Sequence, residues 1–177
     1  MVKIIEALKE HKLASGLLSR GVSEVSVTGM LGDQPVKGRF DFLVQDRTAS
    51  GAPSGMIVVD LKTTLDHRPQ AFQREMIRRN LFVQAGLYSE LCEAAFNLPT
   101  IFVFLVVNKN GSNEVALYAA NPTVIECGQL AVRQGIQRYQ KCLQTNMWPF
   151  MFEEYLDLSM PDYLIKKMGD MSGNEEG

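Results

Sequence analysis

Apolar and polar positions recur along the chain with two periods, and each stretch predicts an element. An amphipathic helical pattern covers 2–19, and its start, Met1-Val2-Lys3-Ile4-Ile5-Glu6-Ala7-Leu8-Lys9-Glu10, has acids inside it. Strand-like runs follow at 24–30, 36–45 and 56–62, and a helical pattern covers 69–96. Strands return at 100–108 and 113–120, before a last helix over 122–145. Pro99, Asn110-Gly111 and Asn121-Pro122 mark the turns, with Asn-Gly a strong hairpin signal. The longest apolar run, 101–107, is too short to span a bilayer and reads as a buried central strand. The order α-β-β-β-α-β-β-α predicts an α/β domain with a mixed central sheet flanked by helices.

Two acids and a lysine interrupt these apolar runs. Asp41 lies in Gly38-Arg39-Phe40-Asp41-Phe42-Leu43-Val44, and Asp60 and Lys62 lie in Ile57-Val58-Val59-Asp60-Leu61-Lys62-Thr63-Thr64. Burying an unpartnered charge is costly, so a carboxylate in such a run points to a metal ion or a compensating cation. Strand side chains alternate between faces, which puts Asp60 and Lys62 on one face and Leu61 on the other. The Leu61 carbonyl stays available as a further oxygen ligand. The same alternation gives Phe40, Phe42 and Val44 one face of the earlier strand, and Arg39, Asp41 and Leu43 the other. A hairpin across the polar link 45–55 then brings Asp41 beside Asp60 and Lys62. Two hard oxygen ligands and a cation suit magnesium-dependent phosphodiester hydrolysis, in which the metal stabilises developing charge and the lysine orients or deprotonates the attacking water. A structural ion pair, Asp60 with Lys62 or Asp41 with Arg39, fits the same spacing. Gln84 and Tyr88 are four apart in a helical pattern and share a face that can meet the carboxylates.

With these residues the chain resembles the PD-(D/E)xK nuclease superfamily, in the RecB-type branch that carries a Gln-xxx-Tyr helix after the Asp-x-Lys strand. It is most similar there to the phage and prophage exodeoxyribonuclease VIII (RecE-type) family. The resemblance covers about residues 10–163. It includes Gly21-Val22-Ser23-Glu24-Val25-Ser26, Lys37-Gly38-Arg39-Phe40-Asp41, Phe72-Gln73-Arg74-Glu75, and Tyr139-Gln140-Lys141-Cys142-Leu143 followed by Trp148-Pro149. It implies a restriction-endonuclease-like core, with Asp41, Asp60 and the Leu61 carbonyl as ligands of Mg2+ or a substituting Mn2+. It also implies Lys62 as the catalytic lysine and Gln84 with Tyr88 as positioning groups. Glu24 matches an acidic position at the edge of the family's site, or is an exposed strand-end glutamate. The family's upstream histidine ligand has only His11 as a candidate here, and His11 reads as an ordinary helix residue. His67, in a polar turn, reads as solvent exposed or near a phosphate.

Composition adjusts this picture. At 177 residues and 46% hydrophobic content the chain can bury a real core, and a single domain over 1–168 is expected, with a disordered acidic tail at 169–177. The net charge of −2 lacks the global basic signature of non-specific DNA binders. Between Lys62 and Glu90, however, five basic residues face three acids. Arg74 and Arg78 share a helix face there and, with Arg79 beside them, are candidates to track phosphates, or form a solvated face paired internally through Glu75 and Arg79. Cys92, Cys127 and Cys142 lack Cys-x-x-Cys spacing, so neither a disulfide framework nor a four-cysteine iron–sulfur cluster is expected, and all three read as small core hydrophobes in a reducing cytoplasm. Trp148-Pro149-Phe150-Met151-Phe152 reads as a core or interface cluster.

The functional expectation is a cytoplasmic, magnesium-dependent deoxyribonuclease acting on double-stranded DNA ends. By resemblance it would be a five-prime-to-three-prime exonuclease that leaves single-stranded tails for phage-type recombination. Its partner would be a single-strand annealing protein, and it would assemble as a homo-oligomeric ring. A structure-specific endonuclease of the same fold, or a non-catalytic DNA-binding or assembly protein, are the other classes.

Overall fold

The computed structural model describes residues 2–151, 154 and 156–166. The chain divides into two compact units, Met1–Lys141 and Cys142–Gly177. The first contains helices α1 (Val2–Glu10) and α2 (Lys12–Leu18), strands β1 (Val22–Leu31), β2 (Gln34–Arg47) and β3 (Pro53–Thr64), helices α3 (Pro69–Arg78) and α4 (Leu81–Phe96), and strands β4 (Thr100–Asn108) and β5 (Val115–Ala119). It also holds most of α5 (Pro122–Thr145). The five strands form one mixed sheet in sequence order. β1, β2 and β3 are antiparallel neighbours, β4 runs parallel to β3, and β5 returns antiparallel. The parallel step is what the α3–α4 crossover makes possible, since parallel neighbours cannot be joined by a tight turn.

Each sheet face has its own core. On one face Val27, Phe40, Met56, Val58, Phe102, Phe104 and Val106 meet Phe72 of α3 and Leu81, Ala85 and Leu91 of α4. On the other, Val59 and Leu105 pack with Ala14 of α2 and are flanked by Leu8 and Leu17. β4 is buried on both faces, which accounts for its unbroken apolar run.

Two predicted helices are each interrupted. The 2–19 helix stops at His11, whose extended backbone and Nδ1 cap α2 by accepting the Ala14 N–H at 3.3 Å. The 69–96 helix breaks after Arg78. Asn80 adopts a left-handed φ of 52°, a conformation asparagine tolerates better than most residues. Strand β5 starts later than expected, because Asn113 has a φ of 54°. Of the cysteines only Cys92 is buried, and Cys127 is exposed on α5, which corrects the expectation of three core thiols. In the second unit Trp148, Phe150 and Met151 are exposed rather than forming a core. Phe152 and the predicted tail at 169–177 lie outside the described residues.

Helices α4 and α5 meet at two glycines. A Cβ on Gly128 would lie 2.1 Å from the Phe82 carbonyl oxygen, and one on Gly86 would lie 2.4 Å from Gly128 backbone. Gly135, also inside α5, has open space around it. Gly128→Ala is therefore expected to lower unfolding stability by about 1–3 kcal/mol through overpacking. Gly135→Ala is expected to raise it by roughly 0.5–1 kcal/mol through helix propensity. Urea melts of the two variants check this, and equal shifts of one sign would contradict the close helix approach.

Candidate active site

β3 delivers Asp60 and then Lys62 onto the face covered by α4. Asp60 is 1% exposed and the Lys62 side chain 15%. Lys62 Nζ lies 2.5 Å from Asp60 Oδ2. Gln84 of α4 reaches both, donating from Nε2 to Asp60 Oδ1 at 2.8 Å and accepting from Lys62 Nζ at Oε1 at 3.1 Å. The three side chains close a triangle. Asp60 Oδ2 is still left without a directed hydrogen bond, because the close lysine contact lies off hydrogen-bonding angles. A buried carboxylate oxygen met only by an ammonium calls for an explanation, a catalytic role or a bound ion among them.

Asp41 enters from β2. The β2–β3 ladder runs from Asp46↔Gly55 to Phe42↔Val59, so the next step sets Asp41 at the level of Asp60. Asp41 Oδ2 accepts the Leu61 N–H at 2.8 Å. The N–H and C=O of one strand residue point toward the same neighbouring strand, so the Leu61 carbonyl lies on the Asp41 side. The Leu61 side chain is 42% exposed.

The predicted alternation of β2 fails at this point. Phe40 and Leu43 belong to the α4-side core, whereas Phe42 belongs to the opposite one. The strand therefore changes face across Asp41. Its partner β1 does the same at Glu24, which sits across from Asp41 and has a left-handed φ of 57°. A glutamate in that region is an uncommon backbone state, of the kind that clusters at functional sites. The Glu24 carboxylate pairs with Arg39 at 2.9 Å, and both side chains are largely exposed.

Burial raises the Asp60 carboxyl above its ordinary value. The close contact and charge of the Lys62 ammonium pull it down, the Asp41 charge adds to the rise, and Gln84 opposes it. The upward effects win, so Asp60 carries an unmet demand for positive charge despite its lysine. Among the described residues no cluster of three or more His, Cys, Asp or Glu side chains is arranged for a metal. A cation here would be held by two carboxylates, a backbone carbonyl and water. That donor set suits magnesium, which usually keeps several waters and uses one or two carboxylates.

The other predicted residues are placed differently. Tyr88 does not join the triangle; its ring packs on Phe40 at a centroid distance of 4.9 Å, on Phe102 at 6.5 Å, and against Gly38. His11 is a helix cap. His67 is largely enclosed rather than exposed. It contacts Asn108 at 3.1 Å and Glu114 at 3.7 Å, and its carbonyl accepts the Tyr118 hydroxyl. Arg78 and Arg79 line a cleft of about 580 Å³ that contains Lys62, Thr64, Glu75 and Lys109. Arg74 lines a separate depression with Asp66 and Arg68. Burial alone would raise Glu75, but the Thr64 hydroxyl at 2.5 Å and Arg79 at 2.7 Å outweigh it and hold its carboxyl below the usual value. The sequence reading of Glu75 as an internal partner of Arg79 matches the structure, whereas it gave no role to Lys109 or Thr64. The only signal for Lys109 was its position between the apolar strand and the Asn110-Gly111 turn.

Comparison with solved structures gives a match to the protein named "Putative exonuclease" from Eubacterium rectale, with a TM-score of 0.64 at 15% identity. The match covers 97% of this chain and 64% of that protein, so the chain spans under two thirds of its length. At that identity the likeness shows the fold. A second structure, SSO0001, gives a TM-score of 0.37 at 17% identity over 73% of this chain and 57% of that one, and carries no argument. Comparison with curated proteins gave no match. A family model matches residues 1–156. The mixed five-stranded sheet with flanking helices is thus a restriction-endonuclease-like fold, and the chain belongs to the family described as a PDDEXK-like domain of unknown function, DUF3799.

Proposed function

We propose that this protein is a magnesium-dependent deoxyribonuclease. The observation that carries the reading is the buried Asp60 oxygen with no directed hydrogen bond, flanked by Lys62 and Gln84 and adjoined by Asp41. When bound, the metal would supply charge stabilisation for the phosphoryl oxygens and a nucleophilic water. Asp41 and Asp60 would hold it, joined by the Leu61 carbonyl. Lys62 would orient the attacking water and offset charge developing on the phosphate. Gln84 fixes the Asp60 carboxylate and the Lys62 ammonium relative to each other, as an outer-shell residue does for a metal ligand. Tyr88 supports α4 from the aromatic core.

The finer reading is a five-prime-to-three-prime double-strand exonuclease of the exodeoxyribonuclease VIII type, working as a ring with a single-strand annealing protein. It is supported by the order and spacing of the motifs and by the name of the Eubacterium rectale protein. Incubating end-labelled linear duplex and covalently closed circular DNA with the protein, with magnesium or with a chelator, tests it. Magnesium-dependent loss of the linear substrate alone supports an exonuclease, and the labelled end gives the polarity. Cutting of the circle would replace this with an endonuclease of the same fold. Inertness toward both would overturn the nuclease reading in favour of a binding or assembly role.

A further inference from the structure

The cleft beside Lys62 has the charge and position to hold more of the substrate than the phosphate being cleaved. It lies at the carboxyl end of the parallel strands β3 and β4, where open α/β sheets place their ligands. Four cations line it, Lys62, Arg78, Arg79 and Lys109, against one acid, Glu75. Glu75 is already engaged by the Thr64 hydroxyl and by Arg79. Among the described residues, Arg78 and Lys109 have no carboxylate within ion-pair distance. The Lys109 backbone is anchored, because its N–H donates to the Thr64 carbonyl at 2.8 Å. That bond ties it to the end of β3, two residues beyond Lys62. Leu61 and Leu65 are the only apolar residues of the lining, so the cleft lacks the walls that usually hold a small organic ligand.

We propose that this cleft grips the sugar–phosphate backbone of the cleaved strand, with Arg78 and Lys109 contacting phosphates that flank the one reaching Asp60. The inference rests on the nuclease reading and adds a binding residue, Lys109, that no sequence motif marks. A pair of cations beside Lys62 would hold the strand in register while Lys62 and Asp60 act on one linkage. Such contacts position the strand without reading its bases.

The test is binding rather than cleavage. Fluorescence anisotropy with a labelled oligonucleotide, single-stranded and duplex, is measured in chelator over a range of salt. The chains compared are the wild type, Arg78→Ala/Lys109→Ala, and Lys12→Ala on α2 at the opposite sheet face. The double variant is expected to bind about tenfold more weakly or worse, and its log–log salt slope to fall by roughly 2, one for each lost phosphate contact. Lys12→Ala is expected to match the wild type. If the double variant binds DNA with wild-type affinity and slope, the grip is overturned while the nuclease reading stands. If the wild type binds neither oligonucleotide, the nuclease reading falls and the grip with it.

Discussion

Lys62→Ala is expected to lower magnesium-dependent DNA hydrolysis by about 10²–10⁴-fold, the range for removing a group that moves or orients a proton at the reacting centre. The same substitution is expected to destabilise the metal-free protein. Lys62 is the cation at Asp60, and removing one partner of a buried pair costs up to about 3–5 kcal/mol, less to the extent that the stranded carboxyl takes up a proton. The pH dependence follows from the direction of the Asp60 shift. Its folded-state value is raised above the ordinary 3.8, so its contribution to stability is fully present below that value and is lost as pH rises through the folded-state one. Without Lys62, a major downward influence disappears and the folded-state value rises further. The stability gap between wild type and Lys62→Ala should therefore be small near pH 4 and wide at neutral pH. Denaturant melts at the two pH values, with single-turnover cleavage of a labelled duplex, check both halves. Full activity in the variant would remove Lys62 from the chemistry.

Much of this site was legible because it rests on short-range periodicity. Asp60 and Lys62 share a face by the two-residue repeat of a strand, and Gln84 reaches them from a helix pattern whose inward face the sequence showed. The fold class followed from the order of elements and from the buried run of β4. The rest depends on contacts distant in sequence or on single backbone states. A left-handed Glu24 is invisible to a pattern of polar and apolar residues, yet β1 changes face there and β2 at Asp41 opposite. Tyr88 has the right helical spacing, but Phe40 arrives on its side of the sheet through that same change of face, and the ring packs there instead. The break at Asn80 separates α3 from α4 and leaves Arg78 in the last turn of α3, beside the end of β3, where a continuous 69–96 helix had been expected. Lys109 acquires its role only through the β3–β4 pairing, which no local signal encodes.

Asp60→Asn is expected to separate stability from function. In the metal-free wild type the surroundings of Asp60 disfavour its charged form even with Lys62 in contact, as the raised carboxyl shows. A neutral side chain of nearly the same shape removes that penalty, and Lys62 keeps its hydrogen bond to Gln84. The metal-free variant should therefore be at least as stable as the wild type at neutral pH, in keeping with the cost that functional sites impose on stability. Its response to magnesium should differ sharply. A cation bound only by the folded state adds about 2.7 kcal/mol at a hundred times its Kd, which for a chain of this size raises Tm by roughly 5–10 °C. Thermal melts across a magnesium titration should show that rise in the wild type and little or none in Asp60→Asn, with hydrolysis lost as well. A merely structural Asp60–Lys62 ion pair predicts the reverse on both counts. Asp60→Asn would then destabilise the metal-free protein much as Lys62→Ala does, and magnesium would leave the wild-type melt unmoved. The two substitutions act on the same contact, so opposite signs in metal-free stability would mark Asp60 as a carboxylate held ready for a cation.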